Sequence, residues 1–259
     1  FDSLASPRDA NTDRRRLETI LARDATWVTA GCSADVEALS RVRRNRARVS
    51  LVPGGIDADR FEDSHGVDVV ELGCRVACLA PNAVLLDDVS RVLTVLPALG
   101  GCRLVVGATG PADDAAGQDW KALQQLAVDL GVAHRVSFLG HLHPDEVATT
   151  MQSVDVLVCT PTASPDTPAV LAAMAGGVAV VAYDVGTLSD VVIHDVTGLL
   201  VPRNDSRALT KALKALQCER FRRDGMASAG RTRARSRYSW ERIAVDAESA
   251  YRQVARTPI

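Results

Sequence analysis

The chain is poor in aromatic residues: Phe, Trp and Tyr together make up 4% of its 259 residues. A core built on stacked rings is therefore excluded, and the interior must be aliphatic, made of Val, Leu, Ala and Ile. Charge of one sign is also lacking. The formal net charge is -2, which offers no electrostatic argument for a nucleic-acid or membrane partner. No apolar run is long enough to span a membrane, so no transmembrane segment is expected. No signal peptide is evident, and a reduced, cytoplasmic setting is expected. Cysteine is present but dispersed: Cys32, Cys74, Cys78, Cys102, Cys159 and Cys218. Only Cys74 and Cys78 are close, and no histidine lies near enough to complete a zinc site, so no metal is expected. Cys102 and Cys159 sit in apolar runs and read as small core residues. An initiating Met is missing too. The chain opens on Phe1-Asp2 and a polar stretch, and the expectation is that something upstream is absent.

What is present is an aliphatic chain with a regular rhythm. Hydrophobic residues account for 47% of the sequence, enough for one large domain or two unequal ones. The pattern is helical from Asn11 to Arg23. A short apolar run follows, Ala25 to Ala30, then a second helix over Ala34 to Arg43 with Ser33 as its N-cap, then a strand over Val49 to Val52. Pro53-Gly54-Gly55 stops this piece, which is too small to be a domain alone. The expected division is a remnant of one domain over 1–54, a linker over 55–73, a main domain over 74–237 and a closing helix over 238–259.

Within the main domain, strands and helices alternate. Strands are predicted over Arg75 to Leu79, Arg103 to Gly107, Val136 to Leu139, Val154 to Cys159, Val178 to Tyr183 and Gly198 to Val201. Helices are predicted between them, over Asp88 to Leu99, Asp119 to Leu130, Pro144 to Gln152, Pro168 to Ala175 and Leu188 to Ile193. Such alternation implies right-handed crossovers and a doubly wound, mostly parallel Rossmann-like α/β sheet. A helical tail follows: Ser206 to Leu216, Cys218 to Arg237 and Trp240 to Val254. The basic runs Arg41 to Arg48 and Arg220 to Arg237 read as solvated helix faces.

In an open parallel sheet, ligands bind at the carboxyl ends of the strands, where helix N-termini offer free N–H groups. Three turns qualify. Val106-Gly107-Ala108-Thr109-Gly110 permits close backbone approach, or is a plain loop. Gly140-His141 follows the third strand, and His141 is either a ligand contact or an exposed loop histidine. The turn from Thr160 to Val170 leads into Leu171-Ala172-Ala173-Met174-Ala175-Gly176-Gly177, whose small residues let a helix lie close to the sheet and whose glycines end it.

That third segment carries a family resemblance. Val154-Asp155-Val156-Leu157-Val158, the Leu171 to Ala182 stretch and Thr197-Gly198-Leu199-Leu200-Val201-Pro202 resemble the C-terminal domain of family 4 glycosyltransferases, retaining enzymes of the GT-B fold. Arg48 to Phe61 resembles the family's interdomain segment, Val136 to Gly140 its nucleotide-base loop, and Tyr238-Ser239-Trp240 the start of its closing helix. The resemblance implies a nucleotide-sugar donor held by the main domain, no metal and no cofactor beyond that substrate. It further implies that an acceptor-side Rossmann-like domain, of which residues 1–54 are the last part, is otherwise missing or is supplied by a partner chain. The donor-binding positions it implies are Gly107, Gly140, His141, Thr160, Ser164, Asp166, Thr167, Pro168, Ala169, Val170 and Ala172.

Several positions depart from the family pattern. Ser164 and Ala172 stand where the family has two glutamates, one for the donor sugar and one for its ribose. The loop that cradles the diphosphate reads Asp166-Thr167-Pro168-Ala169, and Pro168 has no N–H to offer. Thr167 and Pro168 also read simply as N-cap and first residue of a helix. Asn82 and Asp87 stand where the family has an Arg and a Lys, and no Arg or Lys occurs from Val76 to Ser90. Losing charged hydrogen bonds worth roughly 1.5–3 kcal/mol each weakens diphosphate binding. Three readings follow: a glycosyltransferase with a degenerate donor site, a catalytically inactive relative acting as a binding or scaffold module, and a truncated gene product.

Overall fold

The computed structural model describes residues 12–43, 48–61, 73–81, 84–109, 116–161 and 167–256. The chain divides into two compact units, Phe1–Gly55 with Arg237–Ile259, and Ile56–Ser236.

In the smaller unit, α1 (Thr12–Asp24), β1 (Val28–Ala30), α2 (Ser33–Arg43) and β2 (Val49–Leu51) form a helix–strand–helix–strand run, joined by α10 (Trp240–Arg256). The two strands pair in parallel, Val28 opposite Val49 and Ala30 opposite Leu51. Their core is small: Ala22, Val28, Ala30 and Leu39, flanked by Val36 and Val49. Polar contacts supplement it. Trp27 Nε1 donates to Ser50 Oγ at 3.0 Å, and the Arg43 guanidinium donates to the carbonyls of Ala22 and Thr26, closing the C-terminal end of α1. The Trp240 indole lies against Gly55, where a Cβ would meet the ring at 2.7 Å.

The larger unit is the doubly wound domain. Its strands are β3 (Cys74–Pro81), β4 (Cys102–Thr109), β5 (Val136–His141), β6 (Val156–Cys159), β7 (Ala179–Tyr183) and β8 (Gly198–Val201). They form one six-stranded sheet in the order β5-β4-β3-β6-β7-β8, and every pairing is parallel. The crossover helices are α3 (Leu85–Val95), α4 (Ala116–Asp129), α5 (Pro144–Gln152), α6 (Thr167–Gly176) and α7 (Leu188–Val191), followed by α8 (Ser206–Cys218) and α9 (Arg220–Tyr238). The central strands β6 and β7 are buried at every position, as strands sandwiched between helices must be. Edge strand β5 alternates half-buried and exposed residues.

The core is aliphatic throughout, and Cys102 and Cys159 are buried within this unit. Helix α6 is buried from Ala169 to Gly176. It has no polar face because sheet, α5 and the Ala58–Phe61 turn surround it: a Cβ on Gly176 would sit 3.3 Å from Met151 and 3.5 Å from Phe61.

The basic run Arg220 to Arg237, expected to be a solvated face, is partly structural. Arg231 Nη2 donates to Gly176 O at 2.8 Å, and Arg233 donates to Val191 O and Asp190 O at 2.9 and 2.7 Å. These carbonyls end α6 and α7, where no intrahelical N–H remains to bond them, so cations satisfy both the acceptors and the negative dipole ends. Arg223, 13% exposed, bonds Leu216 O and pairs with Asp155 at 3.6 Å. Arg43 corrects the first run in the same way, whereas Arg41 does lie at the surface, paired with Glu37.

Candidate functional site

The sheet order reverses between β3 and β6. Chain from β3 passes outward through β4 to β5, then α5 carries it back to the other side of β3. At such a reversal the crossovers leave toward opposite faces, and a crevice opens above the strand ends. Its described walls are Pro81 at the end of β3, Cys159, Thr160 and Pro161 after β6, and the first turns of α3 and α6. Both helices present their positive dipole ends there.

The sequence-predicted residues fall around this crevice unevenly. Asn82, Ser164 and Asp166 lie outside the described residues. Asp87 is exposed in the first turn of α3. Helix α6 begins at Thr167, with Pro168 second and exposed. Ala169, Val170 and Ala172 are buried at 3%, 0% and 4% exposure, so the position matched to the second family glutamate carries a covered methyl group. Gly107, Gly140 and His141 end β4 and β5. With strands about 4.8 Å apart, β5 stands about 14 Å from β6, so these residues flank the crevice rather than line its base.

Three of these residues have a local reason to be what they are. A Cβ on Gly107 would meet Leu142 at 2.6 Å and Leu79 at 3.0 Å, so glycine serves packing there. The register slips beside it: Phe138 opposes Val106, but Gly140 opposes Gly107. Leu139 is the extra residue of this bulge, and Gly140 takes φ +79° to accommodate it. Thr160, expected to face a donor, instead turns its hydroxyl inward and donates to Asp88 O at 2.9 Å, with 1% of its surface exposed. That bond ties the end of β6 to α3 across the switch point.

Asp88 was not among the predicted residues. Its carboxylate is 5% exposed and pairs with Arg91 at 3.2 Å, and Arg91 also donates to Asp87 O at 2.7 Å. The nearest cation after β3 is thus held on α3 by its own helix. The i, i+3 spacing of Asp88 and Arg91 was the available signal. Tyr183, 1% exposed, lies close by. Burial pushes its hydroxyl up from the ordinary tyrosine value, against the opposing pull of Arg91 and the Asn204 backbone N–H.

Comparison with known proteins agrees with this geometry. The chain is 31% identical over 223 residues to the D-inositol 3-phosphate glycosyltransferase of Geodermatophilus obscurus, covering 80% of this chain and 48% of that protein. It is 29% identical over 216 residues to a GDP-mannose-dependent alpha-(1-6)-phosphatidylinositol monomannoside mannosyltransferase of Mycobacterium tuberculosis, covering 76% and 54%. The chain therefore spans about half the length of the curated relatives it matches. Among solved structures, sucrose-phosphate synthase from Thermosynechococcus elongatus superimposes with a TM-score of 0.82 at 22% identity, over 98% of this chain and 67% of that one. Anabaena HepE, solved with UDP and glucose, superimposes at 0.81 and 19% identity, over 99% and 70%. At these identities the structures establish the GT-B fold. Residues 79–218, spanning β3 to the end of α8, match the family described as Glycosyl transferases group 1, and the chain belongs to that family.

Proposed function

We propose that this chain supplies the nucleotide-sugar-binding half of a glycosyltransferase that works with retention and without a metal. The observation that carries the reading is the switch point between β3 and β6, which lies inside the family-matched segment and has two helix N-termini above it. A diphosphate placed there meets the positive ends of α3 and α6. The base extends toward Gly140 and His141, and the sugar and ribose toward the α6 side, where Ser164 and Ala172 stand in for the family glutamates. Residues 1–54 belong to the acceptor side, whose remaining strands a preceding segment or a partner chain would provide.

A second reading is favoured by the chemistry of the walls. Arg91 is paired with Asp88, Asp87 is the exposed side chain of α3's first turn, and Ala172 is a buried methyl. A crevice without free cations or carboxylates holds a nucleotide loosely and does little to stabilise a departing diphosphate. On this reading the chain is a non-catalytic binding module.

Titration calorimetry with UDP-glucose, GDP-mannose and an ADP-sugar tests both. Binding of one nucleotide supports a donor crevice, and transfer to an acceptor by the same protein separates enzyme from binding module. No binding at millimolar concentration of any of the three would sink the donor reading.

A further inference from the structure

A groove of about 480 Å³ runs between α3 and α8, lined by Thr94, Val95 and Ala98 on one side and by Arg207, Lys211 and Lys214 on the other. Its volume lies within the range of about 300–1,000 Å³ typical of small-molecule sites. It is separate from the donor crevice. Helix α3 starts at the crevice, and Thr94 to Ala98 lie at its other end, about 15 Å away at 1.5 Å per residue.

Arg207, Lys211 and Lys214 recur at i, i+4 and i+7, so they share one face of α8, while Leu209, Ala212, Leu213 and Leu216 are buried on another. Like charges at this spacing repel. Elsewhere the helical cations are matched: Arg242 with Asp246, Arg252 with Glu248, Arg222 with Glu219 and Asp195. Among the described residues the three on α8 have no ion-pair partner. The neighbouring hydroxyls narrow the ligand. Thr94 Oγ1 donates to Arg91 O and Thr210 Oγ1 to Ser206 O, each at 2.7 Å, so neither proton is free for an anion. Recognition falls to the cations, beside the apolar surface of Val95 and Ala98.

We propose that this groove binds a phosphate ester. The dianionic phosphate sits among Arg207, Lys211 and Lys214, and the carbon skeleton of the ester rests on Val95 and Ala98. The phosphate belongs either to a free metabolite-sized ester or to a lipid headgroup, and the inference stands independently of the donor crevice.

The test uses the whole chain with glycerol 3-phosphate in calorimetry, and vesicles of phosphatidylcholine doped with phosphatidic acid in sedimentation. Wild type is expected to bind at least one probe. The variant R207A/K211A/K214A, whose three positions are exposed, is expected to stay folded by circular dichroism and to bind about tenfold more weakly or worse. A control removing three exposed cations elsewhere (Lys121→Ala, Arg220→Ala, Arg252→Ala) should change binding by less than about twofold. Binding to the soluble ester alone assigns a free metabolite, and binding to the vesicles alone assigns a headgroup. Three results overturn the proposal: neither probe binds; the groove variant binds as wild type does, which places the anion elsewhere; or phosphatidylserine vesicles bind as well as phosphatidic acid vesicles, which reduces the effect to surface charge.

Discussion

Replacing Ala172 with Glu sets two opposing effects against each other. Ala172 is 4% exposed on a helix with no polar face. A carboxylate there is uncompensated in the free protein, a class of change that costs about 3–5 kcal/mol. For a unit of this size each kcal/mol lowers Tm by about 2–4 °C, so the variant should melt roughly 6–20 °C below wild type. If the site faces a ribose, the same carboxylate accepts its hydroxyls when nucleotide binds. A charge-assisted hydrogen bond contributes about 1.5–3 kcal/mol, which is roughly ten- to a hundredfold in Kd. Ligand in hundredfold excess over Kd then restores about 2.7 kcal/mol of the loss. Calorimetry with UDP and GDP reads the affinity, and differential scanning fluorimetry with and without nucleotide reads the stability. Ala172→Gln, of similar volume but uncharged, should show a smaller gain. A folded Ala172→Glu protein with unchanged or weaker affinity, and no rescue of Tm by nucleotide, would refute the placement of this residue opposite the ribose.

Three further outcomes follow from the packing. Thr160→Val keeps the shape but removes the bond to Asp88 O; stability should fall by about 1 kcal/mol, with faster amide exchange in the first turns of α3, and unchanged exchange there would contradict a tie across the switch point. Gly198→Ala places a methyl 2.5 Å from Val180 O in the neighbouring strand, and overpacking against backbone should lower stability by about 1–3 kcal/mol in urea unfolding. Cys218 is exposed while Cys32, Cys74, Cys78, Cys102 and Cys159 are buried, and burial pushes the Cys78 thiol well above its usual value. Iodoacetamide at neutral pH should therefore add one label to the native protein and six after denaturation, as read by mass spectrometry.

Much of the fold could be read along the chain. Runs such as Val156 to Cys159 and Ala179 to Tyr183 are apolar at every position because both faces of the strand are covered, and Gly176-Gly177 ends α6 where Gly177 takes φ +71°. Boundaries were less legible. Strand β3 runs on to Pro81, two residues past the predicted Leu79, because pairing with β4 continues to Thr109. Helix α7 stops at Val191, since Thr197 Oγ1 accepts the Ile193 N–H from a turn that sequence periodicity does not register.

The site was legible as a place and less so as chemistry. Strand-end turns are local in sequence, and the group 1 motifs marked the α6 segment, so the crevice could be located. The partners inside it are far apart in the chain. Thr160 reads as a polar residue poised for a ligand until its hydroxyl is seen 72 positions back, on Asp88. Arginines along α9 read as solvated until their carbonyl acceptors on α6 and α7 are brought beside them.

The sequence by itself determined the class of architecture, the aliphatic core and the family, because period, composition and short motifs are properties of neighbouring residues. Only the tertiary structure decided the strand order that puts the switch point between β3 and β6, the pairing that takes Arg91 out of use, and the inward turn of Thr160. Each depends on which distant segments the sheet holds side by side, and a hydrogen bond or ion pair exists only at that range.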